Sequence, residues 1–338
     1  MSTVVSSNLV TSLSSPPDVT QAYFSKKLLT RAKYRNYHAR WAASSEIPSK
    51  EGKTIIMRRY AHLALALSPL TEGVPPTGKV PTLTDFQATL TQHGDFIALT
   101  DYAQWTQKDP ILQHWTMLLG EQEGYSIDAV DRDTAVAGTT VVYSNGAART
   151  SVNTIVDFND LDRAIRTLTN NGAEKMVGGN KGSTNENTYP TLPAYPAITL
   201  PDVLFDLQNI AGFKWASEYQ GATEGEAGRY KQLAFFDAPD PSSLNAGAKK
   251  FGGGGAASTL VKNTTGTADV YTILIFGLNG FTKVPLMGKT SSFYAKPLGS
   301  AGTADPLEQI ATLGWKEVGA RVRTNENWIC RLECAASL

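Results

Sequence analysis

The sequence predicts an α+β protein on three observations: one unusually long helical pattern that opens at Asp109 and Pro110, strand-like alternation on both sides of it, and a composition rich in turn-forming residues. The chain has 338 residues, 41% of them hydrophobic and 9% aromatic, which is enough for roughly two domains and a substantial core. Its 29 Gly and 17 Pro call for many turns. The longest apolar stretch, residues 271–281, is interrupted by Gly277, Asn279 and Gly280 and falls short of the ~20 residues that cross a bilayer. Residues 1–17 are rich in Ser and Thr and lack the basic start and apolar centre of a secretory signal, so the expected location is the cytoplasm.

Two cysteines occur, Cys330 and Cys334. On a strand they share a face but stand about 13 Å apart at ~3.3 Å per residue, beyond disulfide reach, so free thiols are expected. Lys and Arg number 31, as do Asp and Glu, and the formal charge is zero. That balance hides an asymmetry: residues 1–60 hold ten basic and three acidic side chains, a charge of +7, and the remainder carries −7. A basic arm on an acidic body suits attraction between identical subunits, and it also suits nucleic-acid binding.

The elements follow in order. Asp18 caps a helix that carries Tyr23, Phe24, Leu28 and Leu29 towards Tyr34. Beyond Lys53 the pattern is extended: a strand over residues 54–60, then Leu63, Leu65 and Leu67 alternating with Ala64 and Ala66. A stretch with Pro69, Gly73, Pro75, Pro76, Gly78 and Pro81 follows, and Phe86, Ala88 and Leu90 then alternate with Gln87, Thr89 and Thr91. These are two extended limbs joined by a long tip. A lone two-stranded ribbon is only marginally stable, so this one must lie on something, which can be another chain.

Asp109 and Pro110 supply the cap and first position of the long helix, with Ile111, Leu112, Trp115, Leu118 and Leu119 on one face. The pattern continues through Ile127, Val130 and Ala135 to Gly138, about 28 residues and about 42 Å, with Gly120 and Gly124 as points where it can kink. Strands are expected at 139–143 and 152–157, then a helix over 159–171 with Leu161, Ala164, Ile165 and Leu168 on one face and Gly172 as its stop. Residues 178–196 read as a Gly-, Asn- and Pro-containing linker and a domain boundary. Beyond it come a short helix after Pro201, a strand over 231–236, a mobile loop at Gly252 to Gly255, and an apolar strand over 270–276. Two C-terminal strands, 315–323 and 328–334, turn through Asn325, Glu326 and Asn327.

No catalytic constellation assembles. Met287, Gly288, Lys289 and Thr290 resemble the end of a phosphate-binding loop, but the position of its first glycine is Lys283. The four histidines, His38, His62, His93 and His114, lack the paired spacing of metal ligands. Asp128, Asp131 and Asp133 cluster on the long helix and are the one candidate for acid–base work or a divalent cation, although a charged helix face answering a neighbour's lysines is the simpler reading. No Gly-x-Ser-x-Gly turn is present. No residue is therefore assigned to catalysis, cofactor or metal, no cofactor is expected, and the balance favours a structural protein over an enzyme. The alternatives are a DNA-associated protein working through the basic arm and a metal-dependent enzyme using the three aspartates.

Several segments, taken in order, resemble one family: Pro69 to Gly73; Gln92 to Phe96 and on to Asp101; Gly138 to Tyr143; Gly225 to Arg229; Val270 and Tyr271 with Ile275 to Gly277; and Asp305 to Gln309 with Gly314 to Lys316. Together they are similar to the major capsid proteins of N4-like tailed bacteriophages, over roughly residues 53–331. The resemblance implies the Hong Kong 97-type capsid fold, with an N-terminal arm (1–47), an extended β-ribbon loop (48–101), a peripheral domain (102–188) with a spine helix (110–137), an axial domain (189–300) and C-terminal peripheral strands (301–338). It further implies self-assembly into hexamers and pentamers of an icosahedral head, a virion location, and a separate scaffolding protein. A portal, weakly held double-stranded DNA and a decoration protein are the other implied partners, and no membrane is implied.

Overall fold

The structure is a computed structural model that describes residues 9–10, 36–61, 63–67, 69–70, 72–73, 75, 78–106, 111–178, 192–219, 221–240, 247–287, 291–300 and 305–338. The first half holds β1 (Leu9–Val10), β2 (Ala43–Ser44), β3 (Thr54–Tyr60), β4 (Leu83–Thr89), β5 (Thr91–Thr100), α1 (Asp101–Thr106), α2 (Ile111–Val136), β6 (Val141–Tyr143) and α3 (Phe158–Asn170). The second half holds β7 (Tyr195–Thr199), α4 (Pro201–Leu207), β8 (Phe213–Trp215), β9 (Glu226–Tyr230), β10 (Leu233–Asp237), β11 (Lys250–Phe251), β12 (Asn263–Thr264) and β13 (Thr267–Ala268). It ends with β14 (Val270–Phe276), β15 (Phe281–Pro285), β16 (Ser291–Lys296), β17 (Ile310–Arg323) and β18 (Ile329–Cys334).

Two sheets organise the chain. The larger runs β6-β18-β14-β7-β10-β9-β8, with β11 also on β14. Every residue of β14 is buried, as an unbroken Val-Tyr-Thr-Ile-Leu-Ile-Phe run demands of a central strand covered on both faces. Leu161, Ala164 and Leu168 of α3 and Val203 and Leu207 of α4 complete this core. α3 begins where the Asp157 carboxylate accepts the Phe158 N–H and the Asp157 N–H donates to Asp160 Oδ2 at 3.1 Å, a capping box. It ends at Gly172, whose φ of +68° suits a residue without Cβ.

The smaller sheet runs β1-β5-β17-β15-β2, and β16 pairs with β17 ahead of β15. Its long axis is β17, which pairs with β5 from Ile310↔Thr100 to Gly319↔Thr91. After a turn through residues 324–328 the chain crosses into the larger sheet as β18, so strand pairing crosses the boundary drawn at residue 300 in both directions. α2 continues unbroken through Gly120 and Gly124 for 26 residues, about 39 Å at 1.5 Å per residue.

Several expectations need correction. Residues 152–157 are not a strand: the chain makes a single bridge, Ile155↔Ala335, before Asp157 is taken up as the cap of α3. The linker read over 178–196 ends in β7, whose Tyr195 and Pro196 are buried and paired with β10. Leu63, Leu65 and Leu67 belong to no strand, and all three are exposed because no other part of the described chain covers them. Leu118 faces outward from α2. The glycines at 252–255 form a packed turn: the Gly253 N–H reaches Asp269 Oδ1 at 2.7 Å, and a Cβ on Gly255 would lie 2.2 Å from the Val152 carbonyl. The helix expected from Asp18, the start of the long helix at Asp109 and Pro110, and residues 288–290 lie outside the described residues.

Cys330 and Cys334 are free and buried on β18. Burial pushes the Cys330 thiol up to about 12 and the Cys334 thiol higher still. A water-soluble maleimide at pH 7.5 is therefore expected to label neither thiol in the native protein and both in denaturant, read by mass spectrometry.

Candidate assembly surface and the clamp beneath it

β3 and β4 pair in register from Thr54↔Thr89 to Tyr60↔Leu83. The foot of this ribbon is anchored, because Ile55, Met57, Ala88 and Leu90 pack with Ile47, Val284 and Ala320 over the smaller sheet. Beyond the foot the ribbon leaves the body. Tyr60, Leu63, Leu65, Leu67, Leu70 and Val80 are all exposed, Leu67 to 84% and Val80 to 89%. Lys79 ties the two limbs of the tip, its Nζ donating to the Ala64 carbonyl at 2.8 Å and the Leu65 carbonyl at 3.0 Å. So many adjacent apolar side chains in water mark a contact surface.

The smaller sheet meets α2 through a small apolar patch and a larger polar one. Leu119 and Ile127 pack on Phe293, Leu313 and Trp315. The Trp315 Nε1–H donates to Gln122 Oε1 at 3.2 Å, and Gln122 Nε2 donates to Asp95 Oδ2 at 2.6 Å, which fixes α2 to β17 and β5. Deeper in, Arg321 Nε donates to Asp131 Oδ1 at 2.5 Å and Arg321 Nη2 to Glu317 Oε2 at 3.0 Å. Lys283 Nζ lies 3.1 Å from Glu317 and 3.4 Å from Asp131, and Ser291 donates to Glu123 Oε1. Burial pushes the Glu123 carboxyl above the ordinary range, Glu317 adding to the push and Ser291 and Lys283 opposing it. Burial also lowers the Arg321 pKa, but Asp131 and Glu317 outweigh it and hold the guanidinium charged.

The three aspartates read as a possible acid–base or cation cluster do not converge. Asp128 accepts the His38 N–H at 2.8 Å and pairs with His38 Nδ1 at 2.8 Å, Asp131 takes Arg321 and Lys283, and Asp133 takes Arg132 and Lys249. Each is matched to cations or a histidine of the same chain. Among the described residues no group of three His, Cys, Asp or Glu side chains is placed to hold a metal. Glu123, Glu317 and Arg321 escaped the sequence reading, which met His38 only as a scattered histidine and Lys283 only as the residue in place of a glycine. The usable signal was Glu317 and Arg321, two charges at even spacing on a strand and therefore on one face.

No protein-family model matches the sequence, and no curated protein does. Solved structures do. The capsid of Ralstonia phage GP4 superposes with a TM-score of 0.59 at 10% identity, over 100% of this chain and 99% of that one. The acid-stable capsid of Helicobacter pylori bacteriophage KHP30 gives 0.58 at 11% identity, over 96% and 94%. The capsid of cyanophage P-SCSP1u gives 0.57 at 13% identity, over 88% and 87%. This is the Hong Kong 97-type capsid fold. The neighbours are phage capsid proteins, a structural and non-enzymatic family.

Removing Asp131 leaves the buried Arg321 guanidinium with Glu317 as its one remaining carboxylate, so Asp131→Ala is expected to cost about 3 kcal/mol in chemical denaturation, the lower end for breaking a buried pair. Glu123→Gln tests the sign of a buried carboxyl. A raised folded-state pKa gives stability that is complete below the unfolded value and is lost as pH rises through the folded one. The variant should melt above the parent at pH 8 and level with it at pH 4, by scanning calorimetry.

Proposed function

We propose that the chain is the major capsid protein of a tailed double-stranded DNA phage, forming the hexamers and pentamers of an icosahedral head that encloses the genome. The observation that carries this reading is the ribbon: an anchored foot, a stapled tip and a run of exposed apolar side chains, on a fold whose solved neighbours are phage capsids. Such a surface is unfavourable in an isolated subunit and suits burial against a neighbour. The extended loop lies over a neighbour's spine helix, and the basic arm meets acidic surface on another subunit.

In this reading residues 1–47 are the arm, 48–101 the extended loop, 102–188 the peripheral domain, 189–300 the axial domain and 301–338 the returning peripheral strands. Strands β15 and β16 then belong to the axial segment by sequence and pair with the peripheral β17. The ordered segments from Pro69 to Lys316 support an N4-like relative within the fold. A separate scaffolding protein, a portal and a decoration protein are the proposed partners, and assembly takes place in the host cytoplasm. A net charge of zero suits a wall that holds packaged DNA weakly, since each lysine set on a phosphate would resist movement of the genome.

Light scattering and negative-stain microscopy of the purified protein, with and without a co-produced scaffolding protein, test the reading. Shells, tubes, or pentameric and hexameric rings are expected. A persistent monomer or dimer under both conditions would overturn it.

A further inference from the structure

The face of the smaller sheet turned away from α2 carries a hollow. β17 pairs Gly314 with Phe96 of β5 on one side and Tyr294 of β16 on the other, so the register sets a glycine between two aromatic side chains. Side chains alternate along a strand, and Leu313 and Trp315 point to α2 while Gly314 points away. Phe96 is 60% exposed and Tyr294 45%. One register step further in each direction stand Lys316, opposite Gly94, and Lys296, opposite Thr312. The result is an open hollow of about 530 Å³ with aromatic walls and a lysine at each end. Neither lysine has an ion partner among the described residues.

Its complement is a knob on the same molecule. Leu307 is 75% exposed and sits between Asp305 and Glu308, just before β17. Three hydrogen bonds tie the turn: Asp305 Oδ2 accepts the Ile310 N–H at 2.7 Å, the Asp305 carbonyl accepts the Glu308 N–H at 3.1 Å, and the Gln309 carbonyl accepts the Asp101 N–H at 3.0 Å. Glu308 is held at φ +54°, a conformation that side chains with a Cβ rarely adopt. The aspartates beside other exposed apolar side chains are engaged, Asp157 and Asp160 in the cap of α3 beside Phe158 and Asp206 on the Ser337 N–H beside Phe205, as Asp305 is on the Ile310 N–H. Glu308 has no cation partner among the described residues.

We propose that Leu307 of one copy inserts over Gly314 of the next, between Phe96 and Tyr294, with Glu308 meeting Lys296 and Lys316. The chain's own N-terminal arm, residues 1–47, is excluded as occupant by its six basic against two acidic side chains, facing two lysines. A knob already fixed in its protruding shape loses little entropy on insertion. Knob and hollow are different patches, so the contact is head-to-tail, and it builds rings or lattices instead of isolated pairs. The proposal rests on the capsid reading in that it names a contact between copies.

The test uses the full chain under conditions in which the parent assembles, with particle yield measured by light scattering. Glu308→Lys is expected to lower yield about tenfold, as turning a close opposite pair into a like pair does. Either Lys316→Glu or Lys296→Glu added to it should restore the yield. Leu307→Ser, a change at an exposed side chain, should lower yield with an unchanged melting temperature of the unassembled subunit, which separates a lost contact from a lost fold. Failure of both double variants to recover would overturn the contact. Parent-like assembly of every variant would do the same and leave the capsid reading intact, as would loss of binding to a co-produced accessory protein alone. A parent that forms no particle would remove the capsid reading itself and this contact with it.

Discussion

The Asp131–Arg321 pair, with side chains 0% and 3% exposed, joins the long helix to the long strand, and the geometry around it follows from that junction. A helix that buries Glu123, Asp128, Asp131 and Arg132 together with only a few apolar side chains is not held by a greasy stripe. It is held by charge matching, and charge matching in a buried site is unforgiving about position, because a displaced partner leaves an ion without compensation. A mixed apolar interface tolerates sliding by a fraction of a turn. This one specifies register. The same cluster reaches β15 through Lys283 and β16 through Ser291, so one set of contacts sets the helix against three strands of the sheet.

The surfaces left over are those for which the described residues contain no partner. The ribbon is the extreme case, since its foot joins the core formed by Ile47, Val284 and Ala320 while none of the described residues covers its far half. A fold that needed to be stable alone would shorten such a hairpin or charge its tip. Here the two limbs are instead cross-tied by Lys79, which stiffens the ribbon without covering its leucines. Stiffness without burial favours association, because the shape offered to a neighbour is already fixed.

How much of this was legible in the sequence depended on whether the deciding partner was near or far along the chain. α3 was readable because its cap, its apolar period and its terminating Gly172 lie within one short segment. β14 was readable because burial on both faces forces a continuous apolar run. The strands β7, β15 and β16 were not: they are five or six residues long, carry Pro196, Lys283 or Ser291 within them, and acquire their state from distant neighbours. Leu63, Leu65 and Leu67 were misread because alternation implies a half-buried strand only when something covers one face. The candidate site divides the same way. The ribbon's need for a partner could be seen in its composition, whereas Asp131 was recognisable only as one acid among three until Arg321, 190 residues away, supplied its meaning.

β17 carries the clamp's Glu317 and Arg321 and the floor of the hollow, and it continues directly from the Leu307 turn. Arg321 and Glu317 lie towards its end, Lys316 and Gly314 in its middle, and the Leu307 turn immediately before its start. A strand of 14 residues paired on both sides bends little, so the angle between knob and hollow is fixed by the strand and cannot adjust independently at each contact. For a head-to-tail contact that angle decides whether a ring closes or a filament runs on. Register imposed on α2 by buried charge is therefore also a constraint on curvature. Loosening the clamp would let β17 twist, and a small change of twist repeated around a ring accumulates into a different closure. Stability of the subunit and geometry of its assembly thus draw on the same few buried side chains.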